Sequence, residues 1–206
     1  MKKRYKALII LAVFLTILIY AFTFGKYTGV HPGEIGLAYG INANVNNEQV
    51  VDNAKKLKGV LYDFSQGNFN NIGGKAGFIV CVDVVDISYS RAGFPIEEYL
   101  KQDYAKNKES YISKGLHNTP ATSFFFRRVQ NYYTYCENNG LLIKQCMQPQ
   151  QGDLVFYGKN HVTLVSKSNN DGTYNEIESI GSGIIVQEHI NKKWVTKDVG
   201  RILGSK

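Results

Sequence analysis

Gly152-Asp153-Leu154-Val155-Phe156-Tyr157-Gly158-Lys159-Asn160-His161-Val162-Thr163-Leu164-Val165-Ser166 marks a change in the chain's hydrophobic pattern. Upstream of it, apolar residues recur at the three-to-four spacing of helices. From it onward they run together or alternate, as strands do. Residues 154–157 and 161–166 read as two strands around a turn, 174–180 and 183–190 as two more, and a last one lies near 199–203. Asn170-Asp171-Gly172 is a strong hairpin turn between the second and third.

Working back from this stretch, residues 123–138 form the clearest amphipathic helix, with Phe125, Val129, Tyr132, Tyr133 and Cys136 as its stripe and Asn139-Gly140 as its end. A short helix is expected over 96–106. Another follows the Gly/Asn-rich loop 67–77, with Cys81, Val84, Val85, Ser88 and Ala92 on one face and Gly93 stopping it. Asn46-Asn47 offers an N-cap for a further helix carrying Val50, Val51, Ala54 and Leu57 up to Gly59. Helices first and an antiparallel sheet last, without βαβ alternation, predict an α+β domain over 47–206.

The first 46 residues are of another kind. Residues 7–25 are 19 consecutive uncharged residues, flanked by Lys6 and Lys26. As a helix they span about 28 Å, the thickness of a bilayer's hydrocarbon layer. Lys2, Lys3, Arg4 and Lys6 precede the run, which predicts a cytoplasmic N-terminus and an exported domain. Ala21-Phe22-Thr23 matches a signal-peptidase site poorly and the run exceeds a typical signal core, so an uncleaved anchor is the expectation. Residues 26–46, punctuated by Gly29, Pro32, Gly33, Gly36 and Gly40, read as a linker. The four cations of the stub account for more than half of the formal charge of +7, leaving +3 for the remaining 200 residues. That distribution, together with export, argues against a nucleic-acid partner. Ligand spacing for a metal is also lacking, and no cofactor is expected.

Three residues carry the chemistry. Cys81 stands at or near the first turn of its helix, where unpaired N–H groups and the helix dipole favour a thiolate. His161 opens a strand. A hairpin centred on Asn170-Asp171 pairs Thr163 with Glu178 and sets Glu178 diagonal to His161 on one face of the sheet. Glu176 shares that face but lies roughly 7 Å further along the strand. Ser179 points the other way, and Ile180, opposite His161, has no polar atom to offer. Each of the three has a plainer reading: a core thiol, a strand-end imidazole, a solvated carboxylate. Together they make the constellation of a Cys-His-Glu hydrolase.

In this order and spacing the chain resembles the papain-like cell-wall peptidases of the NlpC/p60 and CHAP type. In these a Cys heads a helix and a His opens a strand after a Gly-Asp-x-Val stretch, here Gly152-Asp153-Leu154-Val155 and His161-Val162-Thr163-Leu164-Val165. It is most similar to the bacterial domain of unknown function 1287, whose Cys-x-Asp-Val-Val appears as Cys81-Val82-Asp83-Val84-Val85. That family's Arg-Arg-Val-x-Asn appears as Arg127-Arg128-Val129-Gln130-Asn131. The resemblance implies a papain-like fold and amide hydrolysis through an acyl-enzyme, with peptidoglycan stem peptides as substrate. Cys81 is then the nucleophile, His161 the base and acid, and Glu178 the orienter. Clan members often place a Tyr upstream of the Cys to assist the oxyanion. Phe69 is at the nearest comparable distance here, and Tyr62 lies further back.

The domain would face the periplasm or exterior from the cytoplasmic membrane. Cys136 and Cys146 are candidates for a disulfide that leaves Cys81 as the odd thiol. Two other functions fit the same residues: a non-catalytic papain-like scaffold in the cell envelope, and an amidase or acyltransferase on another substrate.

Overall fold

The computed structural model describes residues 6, 9–17, 45–66, 73–74, 76–111, 117–122 and 124–204. Asn46 begins the domain: its side chain accepts the Gln49 N–H at 2.9 Å, and Gln49 Oε1 accepts the Asn46 N–H at 3.3 Å. This reciprocal cap opens helix α1 (Asn47–Lys55), which buries Val50, Val51 and Ala54. Helix α2 (Cys81–Ala92) follows, and it is buried from Val82 to Ser90, so it is a central helix and not the one-sided one its spacing suggested. Val82, Val84, Val85 and Ile87 are at most 1% exposed, each worth about 1.5–3 kcal/mol of transfer free energy. Gly93 ends α2 with φ +99°, a conformation that a β-carbon would strain. Helix α3 (Ile96–Lys106) has the expected bounds.

Residues 123–138 do not form one helix. Phe125–Arg127 is a 3-10 turn, Arg128 is extended at φ −101° and ψ 117°, and helix α4 (Val129–Asn138) starts after it. The break turns the two arginines to separate tasks, described below. The apolar stripe survives it, because Phe125, Val129, Tyr132, Tyr133 and Cys136 are all buried.

The sheet is antiparallel throughout, in the order β1-β6-β2-β3-β4-β5. Its strands are β1 (Leu142–Cys146), β2 (Leu154–Tyr157), β3 (His161–Ser168), β4 (Thr173–Glu178), β5 (Gln187–Lys193) and β6 (Lys197–Gly200). β1 was not anticipated, β5 starts and ends later than expected, and β6 precedes most of its expected range. Helix α2 lies on β3 and beside α1. Val162, Leu164 and Ile177 of the sheet join the helices in the main core. The opposite face holds a smaller cluster of Cys146, Val155, Val165, Tyr174 and Val199, with Trp194 packed on it. The α+β expectation therefore holds, with helices preceding an antiparallel sheet.

The candidate Cys136–Cys146 disulfide is not formed: all three cysteines are free. The reason is topological. Cys136 lies in the helix-side core and Cys146 in the cluster across the sheet. The Cys146 thiol donates to the Gln148 carbonyl at 3.1 Å, and burial pushes the Cys136 thiol up to about 12.

Of the apolar run 7–25, residues 9–17 are described and helical. Among the described residues no helix is long and apolar enough to cross a membrane. The rest of that run and linker residues 26–44 lie outside the described residues, as does Phe69.

Candidate active site

Cys81 is the first residue of α2, and Val80 before it is extended. The start of α2 is closed by Asp83, whose Oδ2 accepts the Val80 N–H at 2.8 Å. Asp83 does not stand beside the sulfur as an uncompensated anion, because Arg127 covers it. Arg127 Nη2 lies 2.6 Å from Asp83 Oδ2 and Nε donates to Oδ1 at 3.1 Å. The same guanidinium reaches Asp63 Oδ2 at 2.5 Å and the Phe78 carbonyl at 3.1 Å. Burial pushes the Asp83 carboxyl up, with the Arg127 charge the main opposing influence. Asp63 also accepts from the Ser65 N–H at 2.9 Å, and Gly73 rests on it so closely that a β-carbon there would fall 2.0 Å from Oδ1. One buried arginine thus ties the 3-10 turn, the loop before α2 and the first turn of α2 into a rigid unit.

Cys81 is partly exposed and opens onto a cleft of about 640 Å³, which His161 lines from the sheet side. His161 begins β3. Its Nε2 lies 2.5 Å from Glu178 Oε2, at the end of β4. The pairing comes about differently from the expectation. The hairpin ladder starts one step out of line, with Ser168 opposite Tyr174, so its turn centres on Asp171. A bulge at Ser166 then restores the register by Val165–Glu176 and Leu164–Ile177. Continued one step, that register sets Thr163 opposite Glu178. Glu176 is fully buried and serves the sheet: it accepts from Thr163 Oγ1 at 2.6 Å and from Tyr157 OH at 2.8 Å, and it pairs with Lys192.

With Nε2 taken by Glu178, Nδ1 is the ring nitrogen still open to a further partner. Burial works against the imidazolium, but hydrogen bonds to Cys81 and Glu178 and the attraction of both charges outweigh it and raise His161 to about 9. Burial likewise raises the Glu178 carboxyl, yet His161, His189 and Lys192 together hold it below the usual carboxylate range. A histidine raised from 6.5 to about 9 on folding binds its proton more tightly in the native state. Its stabilisation is complete below about pH 6.5 and lost as pH rises through about 9. The melting temperature of the native protein should therefore drop across that window more than that of His161→Gln. Parallel melting curves from pH 6 to 10 would contradict this placement of the charge.

Two further residues enter. His189, which no local pattern in the sequence singles out, brings Nε2 to 2.8 Å from Glu178 Oε1, an ion-pair contact not angled as a hydrogen bond. It reaches there because β5 pairs with β4 as Glu176–His189 and Glu178–Gln187, making His189 diagonal to Glu178. A strand-to-strand alternation count on 187–193 would have exposed it, had the start of β5 been known. Tyr62 is an upstream aromatic in the cleft: it bridges to Ile79 just before α2 and accepts from Gln66 Nε2 at 3.1 Å. Burial raises the Tyr62 hydroxyl, so it keeps its proton at neutral pH.

No curated protein and no solved structure matches the chain. The family described as Domain of unknown function (DUF1287) matches residues 51–198, the span that holds Cys81, His161 and Glu178. With most of its 206 residues covered, the chain belongs to that family.

Proposed function

We propose that the protein is a papain-like cysteine hydrolase of the NlpC/p60 kind, cutting amide bonds in peptidoglycan stem peptides. The observation that carries this reading is His161, held at Nε2 by Glu178 and lining the same open cleft as Cys81, which stands at a helix start and helps hold the His161 proton. A base oriented by a third group and touching the nucleophile is what nucleophilic catalysis requires.

The Cys81 thiolate attacks the substrate carbonyl carbon. The N–H of Cys81, which has no helical acceptor at this position, and the Tyr62 hydroxyl would receive the developing oxyanion. Imidazolium His161 gives its Nδ1 proton to the departing amine nitrogen, the C–N bond breaks, and a thioester remains on Cys81. Water then attacks the thioester as His161 takes one of its protons. The C–S bond breaks, the product leaves as a carboxylic acid that ionises in solvent, and the thiolate–imidazolium pair returns. Glu178 keeps the ring oriented and its charge favoured throughout.

The substrate class rests on the likeness of Gly152-Asp153-Leu154-Val155 and His161 to the cell-wall peptidases. It also rests on an anchor at 7–25 that would present the domain outside the cytoplasmic membrane. Incubated with purified muropeptides, the protein is expected to release new amino termini, and Cys81→Ala with an unchanged circular dichroism spectrum to release none. Identical product profiles would favour a scaffold module.

A further inference from the structure

The cleft's charge is one-sided. Among the described residues lining it are Arg127, Arg128, Lys159 and His161, and no Asp or Glu. These cations differ in what they have left to offer. Arg127 is consumed by Asp63, Asp83 and the Phe78 carbonyl. His161 is engaged by Glu178. Lys159 is an exposed rim residue whose Nζ rests 4.9 Å over the Tyr133 ring.

Arg128 is different. It is half-buried, and among the described residues its guanidinium has no carboxylate partner. Its hydrogen bond is from Nη1 to the neutral amide oxygen of Asn118, at 3.0 Å. That amide is itself locked. Asn118 Nδ2 donates to Asn131 Oδ1 at 2.7 Å and to the Tyr111 carbonyl at 2.6 Å, and Asn131 Nδ2 donates back to Asn118 Oδ1 at 3.0 Å. Asn118 and Asn131 are 6% and 1% exposed. A guanidinium is thus fixed by a buried amide pair that orients it without neutralising it. The free edge of its planar donor fork matches a carboxylate in two parallel hydrogen bonds. Arg128 is also the N-cap of α4, which has no side-chain cap and no acid in its first turn, so the helix end adds no competing anion.

We propose that Arg128 sets the specificity of the cleft by receiving a carboxylate of the substrate near the scissile amide, so that anionic peptides are preferred over neutral ones. The proposal rests on the hydrolase reading for what happens to the peptide, but the charge it assigns to the cleft can be read without turnover.

The test alkylates Cys81 in the full chain with iodoacetate and with iodoacetamide, which carry the same leaving group and differ in charge. In each, an S–C bond forms and iodide departs. Arg128→Gln is expected to lower the iodoacetate rate about tenfold while leaving the iodoacetamide rate within about twofold of native. Arg128→Lys should restore part of the loss, and the surface control Lys106→Gln should change neither rate. If Arg128→Gln does not fold, Arg128→Met keeps the aliphatic stem and serves the same comparison. A ratio of the two rates unchanged by loss of the Arg128 charge overturns the assignment, whatever the absolute reactivity of the thiol. Slow iodoacetamide alkylation in the native protein would instead strike the hydrolase reading, and the ratio would still report the cleft's charge.

Discussion

An Arg127→Ala protein is expected to lose about 3–5 kcal/mol of stability, because the substitution strands buried carboxylates and does not merely remove a contact. Arg127 and its partners Asp63 and Asp83 have side chains at most 5% exposed. With the guanidinium gone, two carboxyl groups share a dry pocket with only local N–H and hydroxyl donors, and the Phe78 carbonyl loses a donor as well. Domain stabilities run to about 5–15 kcal/mol, so a large share of the total is at stake. Arg127→Lys should rescue little, since a point charge cannot serve both carboxylates and the carbonyl in one plane. Urea unfolding monitored by circular dichroism decides. A loss below about 1 kcal/mol, the worth of a surface pair, would mean that the network is not buried in solution.

The second large effect concerns turnover. His161→Ala is expected to lower the rate of amide hydrolysis by about 10⁴ or more, the loss typical when a member of a nucleophile–base–orienter set is removed. Glu178→Ala should lose less, and Glu178→Gln less again, because the amide oxygen still accepts from Nε2 while the charge that favours imidazolium is gone. In the native protein hydrolysis should decline as pH rises through about 9, where His161 surrenders the proton it must give to the leaving amine. Initial rates on one muropeptide across the three variants check the order. Equal rates for native and His161→Ala would remove His161 from the chemistry.

How much of this was legible depended on whether the cause lay near in sequence. The start of α2 was readable because a Gly-rich loop, helical spacing and Gly93 all lie on one continuous stretch around Cys81. The Glu178–His161 contact followed from hairpin arithmetic. The arithmetic gave the right partner although the turn was placed half a step off, because the bulge at Ser166 compensates. No local pattern announces such a bulge. Arg127 could not be assigned partners, since Asp83 and Asp63 lie 44 and 64 residues away and meet it only after the loop folds over α2. β1 was missed because it pairs with β6 alone at the sheet's edge and its burial shows no clean alternation. A count of cysteines suggested a bridge, but counting carries no information about which side of a sheet each thiol occupies. Tyr62 reaches the cleft for a similar reason: its nearness to Cys81 comes from the Tyr62–Ile79 bridge and not from sequence distance.

The central claim is that the Cys81 sulfur reacts as an anion sustained by His161. The most direct measurement is the rate of Cys81 alkylation by iodoacetamide against pH, in the native protein and in His161→Ala. Rapid alkylation of the native protein at neutral pH that falls at least about tenfold in the variant is the expected result. Slow alkylation in both, rising together only toward the ordinary thiol range of about 8.5, would contradict it.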